Sequence, residues 1–249
     1  MIKSFLQFIN EDSDPTGDFI KSLALKLIKK IRSFSQQEEN YSVFSGMEFT
    51  EPFEFDLILN IRKEKRANIK QDPHFKDLSW EQLNYDRFGY AIDANIRTNP
   101  GDLIIPELEM HIIVDPSQEP HLYSKLYARL IDILTHETNH IDQFSHIDRN
   151  PFNVSPSNHS ERDSSKKNYR YFLLPDEVES MVEGMYASSN HQKIPLDQVF
   201  AEYLQPFLDT KYISLAEYHE VMLTWVKHAL EKYPDAIFSK KVEKIVNSI

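Results

Sequence analysis

The chain has 249 residues, 41% of them hydrophobic and 27% charged, and its formal net charge is −11. This length and composition indicate a folded globular protein of one domain, or one domain with an appendage, and the acidic balance argues against a nonspecific nucleic-acid binder. No apolar run approaches the roughly 18 residues that a membrane span requires. Cysteine is absent, which excludes disulfides and thiolate metal sites and leaves His, Asp and Glu as the available metal ligands.

The N-terminal residues MIKSFLQFINE form a short amphipathic pattern, followed by the breaker DSDPTGD. A secretory signal peptide would need a longer apolar core and a small-residue cleavage site, so we predict that this segment does not direct secretion. We interpret residues 1–15 as a leader or amphipathic segment. Residues 16–249 are expected to form a single domain whose C-terminal part, from about residue 190, is helical. The first helix of that domain is predicted over Phe19–Phe34.

Strands are predicted first along the chain and helices afterwards. Alternating and β-branched residues predict three strands, at residues 53–64, 90–99 and 107–115, with a loop and short helix at residues 71–83. The sequences TNPGD and DPSQEP predict turns. Helices are predicted at Leu122–Phe144, Asp176–Ser188, Pro195–Leu208 and Ser214–Tyr233, with a short final helix from Phe238. The Ser214–Tyr233 helix opens with SLAE, which predicts a capping box because Ser214 and Glu217 can satisfy each other's backbone amides. This order predicts an α+β fold with a small, mainly antiparallel sheet.

The clearest chemical signal is HETNH, which runs from His136 to His140 on the first long C-terminal helix. Residues i and i+4 of a helix lie about 40° apart around its axis, so both imidazoles can reach one point. Glu137, between them, can lean over an open metal position. This is the chemistry of the HExxH motif, in which two neutral imidazoles bind Zn²⁺ and the carboxylate takes a proton from water. The alternative is a solvated helix face that carries two surface histidines.

A third metal ligand has to come from elsewhere, because a catalytic zinc site uses three protein ligands and keeps one position open. The next predicted helix, PDEVESMVEGMY, carries Glu177, Glu179 and Glu183. Glu179 and Glu183 are spaced i and i+4, so one can bind the metal while the other braces a ligand histidine. Glu177 is the competing third ligand. His146 is a weaker alternative, because the chain has no glycine there to turn it back.

HETNH, followed some forty residues later by ESMVE, resembles the gluzincin metallopeptidases, the thermolysin-like group with His, His and Glu ligands. The resemblance covers roughly residues 105–188 and rests on motifs alone. It implies a zincin-like domain with bound Zn²⁺. The implied site residues are His136, His140 and Glu179 as ligands, Glu137 as general base, and Glu183 as the hydrogen-bonding partner of a ligand.

The preference for Glu179 over Glu177 as third ligand also comes from this resemblance. In the family a small residue follows the ligand glutamate, and Ser180 follows Glu179 whereas Val178 follows Glu177. The sequence departs from the family pattern at Thr138, where a bulky apolar residue is usual.

Two further features are expected of such an enzyme. The strand at residues 107–115 would be an edge strand that pairs with an extended peptide substrate. The oxyanion that forms at the scissile carbonyl needs an electrophile, for which we favour Tyr171 over Tyr169 and His219. Tyrosines at such positions are more often packing residues.

The leader resembles the head-targeting leaders of internal proteins from large tailed myophages. These leaders are cut after a glutamate that follows an aliphatic residue two places earlier, which corresponds here to Ile9-Asn10-Glu11. The resemblance implies a phage prohead protease as a partner acting after Glu11. It also implies a location in the phage virion, inside the capsid, or in the host cytoplasm.

Together these observations predict a zinc-dependent metallopeptidase, a hydrolase that acts on a peptide or protein substrate, with no nucleic-acid or membrane partner. The alternative is a non-catalytic phage structural or internal protein with a structural zinc site. A structural zinc would have four protein ligands, whereas an enzyme keeps a position for water.

Overall fold

The computed structural model describes residues 15–34, 42–49, 55–63, 88–97, 106–118, 121–145, 168–240 and 242. The leader, the segment at residues 71–83 and His146 lie outside these residues, as does most of the final helix predicted from Phe238. What the sequence predicts for them stays a prediction.

The described residues form an α+β fold, as predicted. The strands are β1 (Ser42–Phe49), β2 (Phe55–Lys63), β3 (Tyr90–Arg97) and β4 (Glu107–Val114). The helices are α1 (Pro15–Ser33), α2 (His121–Ser145), α3 (Pro175–Gln192), α4 (Leu196–Asp209) and α5 (Leu215–Lys232), with short 3-10 helices at Pro116–Gln118 and Tyr169–Leu173. The capping box predicted at the start of the last helix is confirmed: the Ser214 amide donates to Glu217, and the Glu217 amide donates to the Ser214 hydroxyl.

Strand β1 was not predicted from the sequence. Its pairing with β2 shifts register between Phe44 and Met47, so the alternation of the strand is interrupted at Ser45 and Gly46. Such a bulge hides the period of two by which a strand is recognised.

The strand order is β1-β2-β4-β3, and the sheet is mixed. The β1/β2 and β3/β4 pairs are antiparallel, as predicted for the sheet, but β2 and β4 run parallel. The prediction that β4 is an edge strand is wrong, because Ile112 of β4 is paired with Ile61 on one side and Ile92 on the other. A strand buried on both faces is typical of a sheet interior, and β4 is buried from Leu108 to Val114.

Helices α1 and α2 share a hydrophobic core with the sheet. The inward residues of β2 alternate at Phe55, Leu57, Leu59 and Ile61, and the apolar stripe of α2 includes Leu126, Leu130, Ile133, Leu134 and Ile141. A second cluster joins α3, α4 and α5 around the buried Trp225. The indole of Trp225 donates to the carbonyl of Phe172 at 2.9 Å, which ties the 3-10 helix before α3 to α5. No helix in the described ranges is long and apolar enough to cross a membrane.

Helices α2 and α3 pack antiparallel and very close together through small residues of α3. Ser180, Gly184 and Ser188 follow one another at intervals of four, which puts them on one face of the helix. The Ser188 hydroxyl donates to the carbonyl of Ala128 at 3.3 Å. A methyl group added at Gly184 would lie 2.5 Å from the backbone oxygen of Asp132. The helices can therefore approach this closely only because position 184 has no side chain.

We expect Gly184→Ala to lower the free energy of unfolding of the zinc-free protein by about 1–2 kcal/mol. Overpacking costs about 1–3 kcal/mol, and a contact of 2.5 Å with backbone places this position in the upper part of that range, at about 2–3. The better helix propensity of alanine returns about 1. Urea denaturation measures the difference. Lys227→Ala, an exposed change on α5, is the control and should stay within about 0.5 kcal/mol. A Gly184→Ala protein at least as stable as wild type would contradict the close contact.

Candidate metal centre

The two histidines of HETNH face each other across one turn of α2. The Nε2 atoms of His136 and His140 are 3.1 Å apart, and the ring planes are nearly perpendicular, at 89°. Two ring nitrogens this close share either an N–H···N hydrogen bond or a cation. The arrangement that the i, i+4 spacing predicts is therefore present, and both imidazoles can reach one ion.

Glu177 of α3 completes a cluster with the two histidines. Its Oε2 lies 3.7 Å from Nε2 of His136, and its Oε1 lies 3.6 Å from Nε2 of His140. Ligand atoms about 2.0–2.1 Å from a tetrahedral zinc lie roughly 3.3–3.4 Å from one another, so the three distances are close to those of a metal site. Two imidazoles and a carboxylate also form a donor set that suits Zn²⁺.

Glu177 sits where its charge is most favourable within α3. It lies in the first turn of the helix, after Pro175 and Asp176, where the N-terminal end of the helix dipole stabilises a negative charge. The side chain is fully buried, with 0% exposure. A buried carboxylate requires a compensating cation or donor, and a metal between it and the two histidines would provide one.

Glu137 lies beside the cluster and is not one of its three ligands. Its Oε1 is 4.0 Å from Nε2 of His136. The side chains of Glu137 and His136 keep 10% and 12% exposure, compared with 0% for Glu177. Solvent therefore reaches Glu137 and His136 but not Glu177.

The two residues between Glu137 and His140, Thr138 and Asn139, have structural contacts. Thr138, where the sequence departs from the pattern it resembles, is buried at 1% exposure, and its hydroxyl donates to the carbonyl of Leu134 at 2.7 Å. The amide of Asn139 donates to the Ser180 hydroxyl of α3 at 3.2 Å. Thr138 thus fills the core side of the helix, while Asn139 joins α2 to α3.

His140 is held on the side away from the cluster by two polar groups. Its Nδ1 lies 2.8 Å from Oε1 of Gln143 and 3.2 Å from the hydroxyl of Ser180. An Nδ1–H that donates to the Gln143 oxygen leaves Nε2 unprotonated and directed at Glu177, which is the tautomer that a metal ligand requires.

The structure places Glu179, the favoured third ligand, outside this cluster. Its Oε2 accepts from Nε2 of Gln143 at 2.9 Å, and its Oε1 accepts from Lys232 at 3.0 Å. Lys232 also donates to Glu183 at 2.9 Å. The alternative ligand, Glu177, takes the place beside the histidines, since residues 177 and 179 of a helix point about 200° apart. Glu183, expected as the partner of a ligand, instead pairs with Lys232.

Two other half-buried titratable groups, His228 and Tyr233, lie near this lysine at the end of α5. Burial, followed by the nearby charge of Lys232, lowers the pKa of His228 below its usual value. Burial also raises the pKa of Tyr233, and the negative charges of Glu183 and Glu179 raise it further. Both groups are therefore held in their neutral forms around physiological pH, which leaves the charge of Lys232 to balance the carboxylates of α3.

The three residues considered for oxyanion stabilisation occupy different positions. Tyr171 and Tyr169 are half-buried on the 3-10 helix before α3 and pack against the helical cluster; the ring centroid of Tyr171 is 6.0 Å from that of Phe172. His219 is exposed near the start of α5, more than three turns or roughly 20 Å before Lys232. The packing of Tyr171 is that of a structural tyrosine, and its catalytic role stays a prediction.

Sequence reasoning missed Gln143, Ser180 and Lys232 as parts of the site. Gln143 follows His140 by three residues, a helical spacing that could have drawn attention to it. The sequence also contained a pattern that favours Glu177 over Glu179: Glu177 precedes Gly184 by seven residues, or two turns, and so shares the small-residue face of α3. No pattern in the sequence indicated Lys232, because it lies about fifty residues from its partners.

The chain matches no protein-family model, and no curated protein or solved structure matches it either. Function is therefore inferred from the geometry of the site and from the motif that forms it.

We expect Glu177→Ala to weaken zinc binding by more than the roughly 10–100-fold that loss of an outer hydrogen-bonding partner costs. Competition with a chromophoric chelator measures the dissociation constant, and elemental mass spectrometry measures zinc per chain. Glu179→Ala is the matched variant: with zinc in excess it should still bind one ion per chain. The opposite pattern, with zinc lost only in Glu179→Ala, would restore Glu179 as the ligand.

Proposed function

We propose that the protein is a zinc-dependent metallopeptidase of the gluzincin type, with a zincin-like domain. The proposed ligands are His136, His140 and Glu177, and the proposed general base is Glu137. The observation that carries the proposal is the convergence of two Nε2 atoms and one buried carboxylate within 3.1–3.7 Å of one another, with a second carboxylate at the exposed edge. Three protein ligands with a base beside them are typical of a catalytic rather than a structural zinc.

In the proposed mechanism, the bound metal and Glu137 have separate roles in peptide hydrolysis. Bound Zn²⁺ would supply Lewis-acid polarisation of the scissile carbonyl and a lowered pKa for water. Glu137 accepts the proton from that water and passes it to the leaving amine. Its position next to His136, with partial exposure, suits this transfer because both the water and the substrate must arrive from that side.

An extended substrate would pair with β3 rather than with β4. Among the described strands, β3 pairs with β4 alone and is an edge of the sheet, and it contacts α2, which carries the histidines. An edge strand can pair its outer backbone groups with an extended peptide. The β-augmentation expected from the sequence is thus kept, with the strand corrected.

The alternative function, a structural zinc in a non-catalytic protein, requires a fourth protein ligand. The cluster found among the described residues contains three. The remaining candidate from the sequence, His146, lies outside the described residues. Turnover therefore separates the two functions.

We expect the wild-type protein to cleave members of a quenched-fluorescent peptide library, and Glu137→Gln to lower the rate about 10²–10⁴-fold, because the general base is lost. Zinc content should stay near one ion per chain, since Glu137 is not a ligand. Removal of zinc by a chelator should abolish cleavage, and added Zn²⁺ should restore it. Two results together would favour the structural alternative: zinc-loaded wild-type protein that cleaves no peptide, and a Co²⁺-substituted protein whose spectrum shows four protein ligands and no bound water.

A further inference from the structure

Lys232, a half-buried residue at the C-terminal end of α5, is connected to His140 by three successive hydrogen bonds through two buried side chains. We call this series of hydrogen bonds the relay. The relay runs from Lys232 to Glu179, from Glu179 to Gln143 and from Gln143 to His140, with separations of 3.0, 2.9 and 2.8 Å. We propose that Lys232 is a positioning residue that sets the tautomer and orientation of His140 as a metal ligand. This inference rests on the proposed function, because it takes His140 as a ligand.

The donor and the acceptor of each hydrogen bond in this relay can be assigned. Lysine can only donate, so the Oε1 of Glu179 accepts. The other oxygen of Glu179 accepts from the amide nitrogen of Gln143, which also lies 3.3 Å from the carbonyl of Asp176. With its nitrogen between two acceptors, Gln143 must present its oxygen to Nδ1 of His140. Nδ1 then carries the proton, and Nε2 is left to bind the metal.

Burial gives the relay its rigidity. Glu179 and Gln143 are each 3% exposed and His140 is 5% exposed, so water does not compete for their hydrogen bonds. The side chain of Lys232 keeps 14% exposure. A carboxylate as buried as Glu179 requires a compensating cation or hydrogen-bond donor. Lys232 holds it from the side opposite Gln143 and is itself fixed by Glu183 at 2.9 Å.

The relay also keeps the two buried glutamates of α3 in separate roles. Glu177 faces the histidines, and Glu179 is turned toward Lys232 and Gln143. The lysine therefore supplies for Glu179 the charge compensation that the metal supplies for Glu177. A metal bound by the histidines and Glu177 would keep a position for water, because the second carboxylate is held by Lys232 and Gln143.

The first test compares the zinc dissociation constants of wild type, Lys232→Met and Lys232→Arg by chelator competition. We expect a 10–100-fold weaker affinity for Lys232→Met, the range typical of outer partners of metal ligands, and a substantial recovery for Lys232→Arg, which keeps the charge. Lys227→Met removes the same charge from an exposed position on α5 and should leave the affinity unchanged. Equal affinities for wild type and Lys232→Met would overturn the proposal.

A double-variant cycle tests whether the effect passes through Gln143. Gln143→Leu should weaken zinc binding to a similar extent, and adding Lys232→Met to it should cost little more, because the relay is already broken. Fully additive losses would mean that Lys232 acts only through general stability and would also overturn the proposal. If Lys232→Met does not fold, Lys232→Gln, which keeps one donor near Glu179, replaces it in both experiments.

The tautomer of His140 supplies a readout that needs no metal. Nitrogen NMR of the zinc-free protein should show a protonated Nδ1 in wild type and a mixture of tautomers in Lys232→Met, with no change in Lys227→Met. A wild-type protein that binds no zinc would defeat the proposed function while leaving this result interpretable. A wild-type protein that binds zinc, with the same tautomer in all variants, would defeat only the role of Lys232.

Discussion

The close contact between α2 and α3 at Gly184 is the constraint on which the cluster of His136, His140 and Glu177 depends. The histidines belong to one helix and Glu177 to the other, so the separation of the two backbones sets the distance between imidazole and carboxylate. Gly184 permits that separation because a methyl group there would lie 2.5 Å from the Asp132 carbonyl. Ser180 and Ser188 keep the same face small on either side. A wider spacing would leave Glu177 too far from the histidines to share one ion with them.

Charge balance is the second organising feature. Glu177, Glu179 and Glu137 are all buried, with 0%, 3% and 7% of each whole residue exposed, an arrangement that is unfavourable unless each charge is compensated. The structure compensates them differently: Glu177 faces the imidazoles, Glu179 faces Lys232, and Glu137 keeps partial contact with solvent. These different surroundings make three chemically identical groups suited to binding, positioning and proton transfer. The hydrogen bonds from Lys232 through Glu179 and Gln143 also join α5 to the site. Apart from them, α5 packs in a separate hydrophobic cluster.

Much of the local structure could be predicted because it depends on short-range periodicity. The helices from α2 to α5 were placed within a few residues of their ends, and the Ser214–Glu217 capping box was predicted in full. The i, i+4 geometry of His136 and His140 follows from helix geometry alone. Strand β1 was missed because its bulge breaks the alternation. The neighbours of β4 were misjudged because strand order depends on which distant segments pair, and β4 pairs in parallel with β2, nearly fifty residues away.

The sequence by itself determined the chemistry that the site can offer: two imidazoles at helical spacing, a carboxylate between them, and no thiolate to compete. It also supplied three glutamates on the next helix, but their identities alone did not say which one reaches the histidines. Only the tertiary structure decided that. The rotation of α3 against α2 is set by its small residues, so Glu177 faces the cluster, whereas Glu179 is drawn to Gln143 and to Lys232. Contacts between residues about fifty positions apart depend on how whole helices pack, and no local pattern in the sequence records them.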